Sequence, residues 1–452
     1  MNDQQQDKDL RTTLLDMIIE PDAFNHPRAE IEPLQLKAAN AHFAKLKDRI
    51  PILKRRAEEE NITEIKDFSD LVPLLFSHTN YKSYPEVLLR TGKWERLCAW
   101  LNTLAGSDVT DKDVSGVKDV DEWIRRLGEQ GVPILATSGT TGKCSFLPAT
   151  DEDVKLKKRH FKHVMGWPYK VATNDRSVFI SGPIEGPNSA IEFGQFARDL
   201  WSKPDAFFNL TKVPLRISEV SKAAQLKQAI LEGRASQEEM DAANEAAAQS
   251  AKRAAKELDE FIDQLLAHRH EPVFVNGLWA QQMLIIERAR KLGIPDGDFH
   301  PDSCILVGGG VKNVSLPLDY KEQVKRFYGD VHHLGVYGMT ELTQLMPRCE
   351  AGRYHRPPGL IWLQLNEQAD KLINADEGIV EGRFAFMDLL LTGRWGGLIT
   401  GDRVQIDWSE TCACGRPGPT ILDTIERFSQ SGAEDHIGCA GTIDSYVRGA
   451  MG

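Results

Sequence analysis

A chain of 452 residues with 41% hydrophobic content can bury one large core or two. Its net charge of −11 is spread through interspersed acids and bases, so no basic stripe points to nucleic acid. No apolar run is long enough to cross a bilayer, and the polar start (Met1 to Asp9) lacks a signal peptide's hydrophobic core, so a cytoplasmic protein is expected. Seven cysteines in such a chain read as free thiols or metal ligands rather than disulfides.

Residues 1–130 are predicted to be mainly helical, with helical spacing over 34–56 and a capped turn over 62–73. The apolar run Val132 to Leu135 then enters Ser138-Gly139-Thr140-Thr141-Gly142-Lys143-Cys144-Ser145 as the end of a strand would. Two glycines let the backbone turn with its N–H groups inward, and hydroxyls and one ammonium add donors, which is a means of gripping phosphate oxygens. It is not a Walker A loop. Only Thr140 and Thr141 separate Gly139 from Gly142-Lys143, and Cys144 stands where a magnesium-binding hydroxyl would be. Read alone, the stretch also fits a plain glycine turn between strands.

A buried strand is predicted over 177–181, followed by a glycine- and proline-punctuated loop over 182–194. Residues 217–270 read as a helical insertion of two helices, the second long and opened by a capping box from Ser236 and Glu239. It is expected to be a solvated excursion, with an interaction arm or dimer contact as the alternative. A strand over 272–277 leads into a helix over 278–292, and a strand over 304–307 ends in Gly308-Gly309-Gly310, where the backbone can approach a flat ligand. Strands and helices alternating at this spacing imply an α/β fold with mixed sheets and ligands at strand ends. A strand over 331–336 precedes Tyr337-Gly338-Met339-Thr340-Glu341, and Thr400-Gly401-Asp402 follows later.

Cys349-x5-His355 and Cys412-x-Cys414 together offer three sulfurs and an imidazole, a donor set suited to tetrahedral Zn2+. With all four ligands from the protein such a site is structural. Free thiols beside an unrelated histidine remain the alternative.

The glycine loop, the Tyr-Gly-Met-Thr-Glu segment and Thr-Gly-Asp occur in the order and spacing of the adenylate-forming superfamily, which the chain resembles over most of its length. Its helical leader and Cys/His segments are similar to the phenylacetate-CoA ligase and acyl-protein synthetase branch, some of whose members carry such a zinc. The resemblance implies a large adenylate-forming domain over 131–427, and a hinge with a truncated C-terminal remnant over 428–452. It also implies binding of ATP or AMP with Mg2+. Ser138, Gly139, Thr140, Thr141 and Gly142 would hold phosphates, Gly308, Gly309 and Gly310 would border adenine, and Tyr337, beside Gly338, would stack on it. Thr340 would contact phosphate, Glu341 would hold Mg2+, and Asp402 would bind the ribose hydroxyls. Arg427, with Arg416 as its rival, would be the family arginine. Lys143 or Arg403 could supply positive charge at the α-phosphate.

The implied activity is ATP-dependent activation of a small-molecule carboxylic acid to an acyl-AMP with release of pyrophosphate. The acceptor stays open among CoA, an amine, a protein, nitrite or another small nucleophile. Phe193, Phe196, Asn276 and Trp279 would line the acid's pocket and lean toward an aryl or hydrophobic acid. A nucleotide-binding scaffold is the alternative reading. A homodimer or a partner protein is left open.

Overall fold

The computed structural model describes residues 3–18, 24, 26–137, 143–308, 315–375 and 377–428. The loop residues 138–142, Gly309, Gly310 and the expected hinge and remnant from 429 onward lie outside the described residues. The chain forms two compact units, one of Met1–Val164 with Tyr337–Gly452, the other of Met165–Val336.

In the first unit the helix Arg28–Leu46 buries Ile31, Gln35, Ala38, Ala39, His42, Phe43 and Leu46, a single stripe at helical spacing. The run expected over 34–56 is in fact two helices, because Pro51 opens a second one, Pro51–Glu59. Proline lacks an N–H and disfavours helix at the residue before it, so the first helix must end upstream. The capped turn becomes a 3-10 segment, Phe68–Leu74, held by an Asp67–Asp70 capping box. Next come β1 (Phe76–Ser77), β2 (Ile134–Ala136) and β3 (Phe146–Pro148). β2 and β3 pair antiparallel, Ile134 opposite Pro148 and Ala136 opposite Phe146. β2 and β3 are therefore the two arms of a hairpin, and the segment after Lys143 returns as a fully buried strand.

The second unit holds β4 (Arg176–Ile180), β5 (Ser202–Asn209), β6 (Val273–Leu278), β7 (Cys304–Gly308) and β8 (His332–Leu334). They form one parallel sheet in the order β5-β4-β6-β7-β8. Short, continuously apolar strands suit a parallel sheet covered on both faces. Two details depart from the expected pattern. The loop over 182–194 gives way at Ser189 to the helix Ser189–Trp201, because Asn188 caps it by accepting the Ala190 N–H and Ile191, Gly194, Ala197 and Trp201 make a buried stripe. The edge strand β5 has no clear sequence signal, since Pro204 and Asp205 (φ +59°) interrupt it. The insertion is two helices, Ile217–Leu231 and Gln237–Ala267, the second opened by the Ser236–Glu239 capping box and buried only at Phe261, Ile262, Leu265 and Leu266.

Back in the first unit follow β9 (Val336–Tyr337), β10 (Met346–Pro347), β11 (Arg353–His355), β12 (Leu360–Leu365), β13 (Ile379–Asp388), β14 (Gly397–Asp407), β15 (Thr420–Leu422) and β16 (Glu426–Arg427). The strand expected over 331–336 is broken at Gly335 into β8 and β9. The principal sheet runs β11-β15-β14-β13-β12, with β1 parallel and β16 antiparallel on β14. Together with the parallel sheet this is a mixed α/β architecture. No helix among the described residues is long and apolar enough to cross a membrane.

The loop from β13 to β14 is wedged against backbone on two sides. A Cβ on Gly393 would lie 2.4 Å from Ala149 Cα, and one on Gly396 would lie 2.1 Å from the Asp388 carbonyl oxygen. Neither neighbour is a flexible side-chain tip that could yield. Gly393→Ala should therefore destabilise the chain by roughly 1–3 kcal/mol, read as a lower urea midpoint at unchanged slope.

Candidate active site

The first unit gathers most of the expected nucleotide residues. At the hairpin mouth the Thr137 N–H donates to Ser145 O (3.2 Å), and the Ser145 N–H donates to Thr137 Oγ1 (3.0 Å), so both ends of the glycine loop are fixed. Cys144 is buried and passes its carbonyl to the Tyr84 hydroxyl at 2.9 Å. Lys143 donates from Nζ to the Tyr84 carbonyl and sits 4.5 Å from the centre of that ring.

Tyr337 begins the chain's return to this unit. Its ring packs at 5.5 Å from Phe384 and 6.0 Å from Tyr354, and its hydroxyl donates to Asp402 Oδ2 at 2.8 Å. Burial, reinforced by the Asp402 charge, holds the Tyr337 phenol well above its ordinary range, so it stays the donor. The other Asp402 oxygen meets Arg427 Nε at 3.0 Å, in register across β14 and β16. Arg416 lies elsewhere, paired with Glu350 at 2.7 Å beside Cys414. Arg403 follows Asp402 in β14, and successive strand residues face opposite ways. It is paired with Glu426 and, at 3.6 Å, with Glu381.

A Cβ on Gly338 would lie 2.5 Å from Leu345 Cδ2, so the tip of that leucine would have to move aside to admit one. Thr340 and Glu341 follow in a turn and are partly buried. Removal from water pushes the Glu341 carboxyl above the usual carboxylate range, against the pull of its own backbone N–H and of the Arg394 and Arg427 guanidiniums, while Asp402 adds to the push. A carboxylate so placed gains from a cation, and a hard oxygen ligand suits Mg2+.

Three positioning residues carried no motif in the sequence. Asp388, fully buried at the end of β13, accepts the Thr343 N–H and hydroxyl (each 2.7 Å), Gln344 Nε2 (2.9 Å) and the Leu390 N–H (3.1 Å). Asp153 likewise accepts the Thr392 N–H and hydroxyl (each 2.8 Å) and the Gly393 N–H (2.7 Å). These two carboxylates fix both the turn after Glu341 and the loop that carries Arg394. Buried Arg394 then donates to Pro148 O (2.8 Å) and Glu341 O (2.7 Å), tying the hairpin strand β3 to the Glu341 turn. A signal was present: aspartate closing the otherwise apolar run Phe384-Ala-Phe-Met387 must find buried donors.

In the second unit, Asn276 and Gly308 lie at the carboxyl ends of the adjacent parallel strands β6 and β7, where open sheets take ligands. Asn276 Nδ2 donates to Leu306 O at 3.2 Å. Trp279 opens the helix Trp279–Lys291 and meets Tyr320 edge-on at 5.1 Å. Phe193 is buried in the helix Ser189–Trp201, and Phe196 on the same helix is partly buried.

The Cys/His cluster assembles in the first unit. Cys349, His355, Cys412 and Cys414 bring one ligand atom each to within 4.8 Å of one another. Two glycine turns present them, Gly352 (φ +75°) after Cys349 and Gly415 (φ +84°) after Cys414, while β11 pairs with β15 to bring the turns together. Cys349 Sγ lies 3.9 Å from Cys412 Sγ, and Cys414 Sγ lies 3.5 Å from His355 Nε2. A tetrahedral zinc with bonds of about 2.3 Å to sulfur and about 2.0 Å to nitrogen sets S–S and S–N separations of about 3.8 and about 3.5 Å. The Cys349–Cys412 and Cys414–His355 separations match those values, and all four donors lie close enough together to be drawn onto one ion. Burial opposes the Cys414 thiolate, but hydrogen bonds from Arg416 and the two other thiols outweigh it and hold Cys414 below the usual thiol range. Burial lowers His355 to about 4, leaving the neutral imidazole a metal requires.

Solved structures share this architecture, among them two of ligases. 2-Hydroxyisobutyryl-CoA ligase with 2-HIB-AMP and CoA in the thioesterification state matches at a TM-score of 0.53 and 14% identity, over 89% of this chain and 69% of that one. The open conformation of a 2-hydroxyisobutyryl-CoA ligase, also with 2-HIB-AMP and CoA, matches at 0.51 and 12%, over 89% and 76%. The chain has the adenylate-forming fold. No protein-family model and no curated protein sequence matches it, so at these identities the likeness is one of fold.

Asp388→Asn tests the positioning network without changing side-chain size. It turns one acceptor into a donor facing buried donors, and should lower stability by at least about 2 kcal/mol in denaturant unfolding.

Proposed function

We propose that this chain activates a carboxylic acid by adenylation. A carboxylate oxygen attacks the α-phosphorus of ATP, the bond to the bridging oxygen breaks, and the electron pair leaves with pyrophosphate. The observation that carries this reading is the Tyr337–Asp402–Arg427 chain beside Glu341 in a unit that also holds the glycine hairpin. Asp402 presents a buried carboxylate for the ribose hydroxyls, oriented on both sides. The Tyr337 ring offers a face for adenine. Backbone N–H groups and the hydroxyls of Ser138, Thr140 and Thr141 would grip the terminal phosphates. Magnesium held on Glu341 would offset charge on the leaving pyrophosphate. The protein's own task is positioning, which Asp388, Asp153 and Arg394 serve by making the turn and the hairpin one rigid piece.

The acid is an aryl or hydrophobic one, on the strength of Phe193, Phe196 and Trp279, and the acyl group passes to an acceptor nucleophile. The Cys349/His355/Cys412/Cys414 cluster holds a structural zinc that locks the β11 and β15 end of the sheet.

ATP–pyrophosphate exchange over a panel of aryl and aliphatic acids tests the reaction. Exchange should depend on one class of acid and fall by at least about 10²-fold in Glu341→Ala. ATP binding without exchange for any acid would instead support a scaffold. For the zinc, metal analysis should find one equivalent, lost in Cys412→Ser, and chelation should lower the melting temperature by several degrees. A zinc-free chain whose melting is indifferent to chelator would remove that reading.

A further inference from the structure

The segment after β1 carries a lysine that no motif marks. β1 runs parallel to β14, Phe76 beside Leu398 and Ser77 beside Ile399, and the His78 N–H donates to Ile399 O at 3.3 Å. The chain leaving β1 therefore follows β14 toward Thr400 and Asp402. It then turns tightly. The Ser77 N–H donates to Asn80 Oδ1 (2.7 Å), and the Lys82 N–H donates to Thr79 O (3.1 Å). Asn80 and Tyr81 are buried, with the Tyr81 hydroxyl donating to Trp395 O at 3.3 Å. Three residues after Tyr81, Tyr84 is fastened to the hairpin through Cys144. Lys82 thus sits between two fixed tyrosines, one on the Arg394 loop and one on the phosphate hairpin.

The other cations of this site are engaged. Lys143 is on Tyr84, Arg394 on two carbonyls and Arg427 on Asp402, while Arg403 faces the other side of β14, on Glu426 and Glu381. Lys82 is partly buried, and no hydrogen bond or ion pair engages its ammonium among the described residues. The charges that act on it most are Glu341, in its favour, and Arg427, against it, while burial weighs against the charged form most of all. An ammonium withdrawn from water and left without a contact partner gains when an anion arrives.

Its place decides which anion. Glu341 marks the magnesium and pyrophosphate end of the nucleotide, and Asp402 with Arg427 marks the ribose end. The group between those ends is the α-phosphate. We propose that Lys82 is a catalytic residue whose ammonium binds the α-phosphate of ATP and offsets the charge that builds there as the carboxylate attacks. It moves no proton in this step. The inference rests on the adenylation reading, and its test is built to fail separately.

Lys82→Met keeps the stem and removes the charge, and Lys82→Arg restores a charge. Calorimetric titration with MgATP and with adenosine, alongside ATP–pyrophosphate exchange, reads the result. Lys82→Met should bind MgATP about tenfold more weakly or worse with adenosine unchanged, its exchange kcat should fall about 10²-fold, and Lys82→Arg should recover part of both. In the unaltered chain, MgATP should protect Lys82 from an amine-acylating reagent, read by peptide mass, and adenosine should not. Equal MgATP affinity in Lys82→Met and wild type, equal weakening of MgATP and adenosine, or absence of MgATP protection would each overturn the proposal. If wild type shows no acid-dependent exchange, the adenylation reading falls, while the comparison of MgATP with adenosine still decides whether Lys82 meets phosphate. A wild-type chain that binds neither nucleotide nor nucleoside overturns both.

Discussion

The first unit depends on a buried carboxylate with nowhere to go but its neighbours' N–H groups. Asp388 has no access to water, and each of its oxygens accepts from two donors spread over two separate loops. A charge in that position is tolerable only if every bond is made, so the Thr343–Gln344 turn and the start of the Leu389–Gly396 loop are set together. Asp153 repeats the device from the helix Asp151–Val164 and holds the far side of the same loop. Arg394 is then delivered to one place, where it joins the hairpin to the Glu341 turn.

Such a framework suits chemistry that consists mainly of holding two reactants in line and stabilising charge. Asp402 is oriented by Tyr337 and Arg427, and Asp388 and Asp153 are saturated with hydrogen bonds, so these groups have little room to relax around their own charges. The Cys/His cluster does a comparable job at the β11 edge of the sheet. It brings together turns that are far apart in the chain, in step with the pairing of β11 and β15.

Local sequence carried the elements whose signal lies in consecutive residues. The apolar strands β4, β6 and β7, the capping box at Ser236 and the Cys-x-Cys turn could all be read directly, because strand burial, helix capping and a two-thiolate turn are decided within a few positions. Less legible was whatever depends on a distant partner. The strand β3 was hidden by its polar neighbours and exists because β2 pairs with it. The helix from Ser189 was obscured by the glycines and prolines before it. The large antiparallel sheet of β11 to β15 was less legible too, although β12 and the inner half of β13 are buried and largely apolar. Which strands pair, and in which register, is set by residues far apart in the chain.

The sequence alone determined that this is a large α/β protein with a donor-rich glycine loop, a Tyr-Gly-Met-Thr-Glu segment, and three thiols with an imidazole at spacings that suit a metal. Those properties reside in residue type and short-range order. Only the tertiary structure chose Arg427 as the neighbour of Asp402 and gave Arg416 to the Cys414 turn. It also turned Arg403 to the opposite side of β14 and, through the parallel pairing of β1 with β14, set the Lys82 segment near Thr400 and Asp402. Each of these is a meeting of residues far apart in the chain, fixed by strand register and buried hydrogen bonds. No local spacing encodes such a meeting.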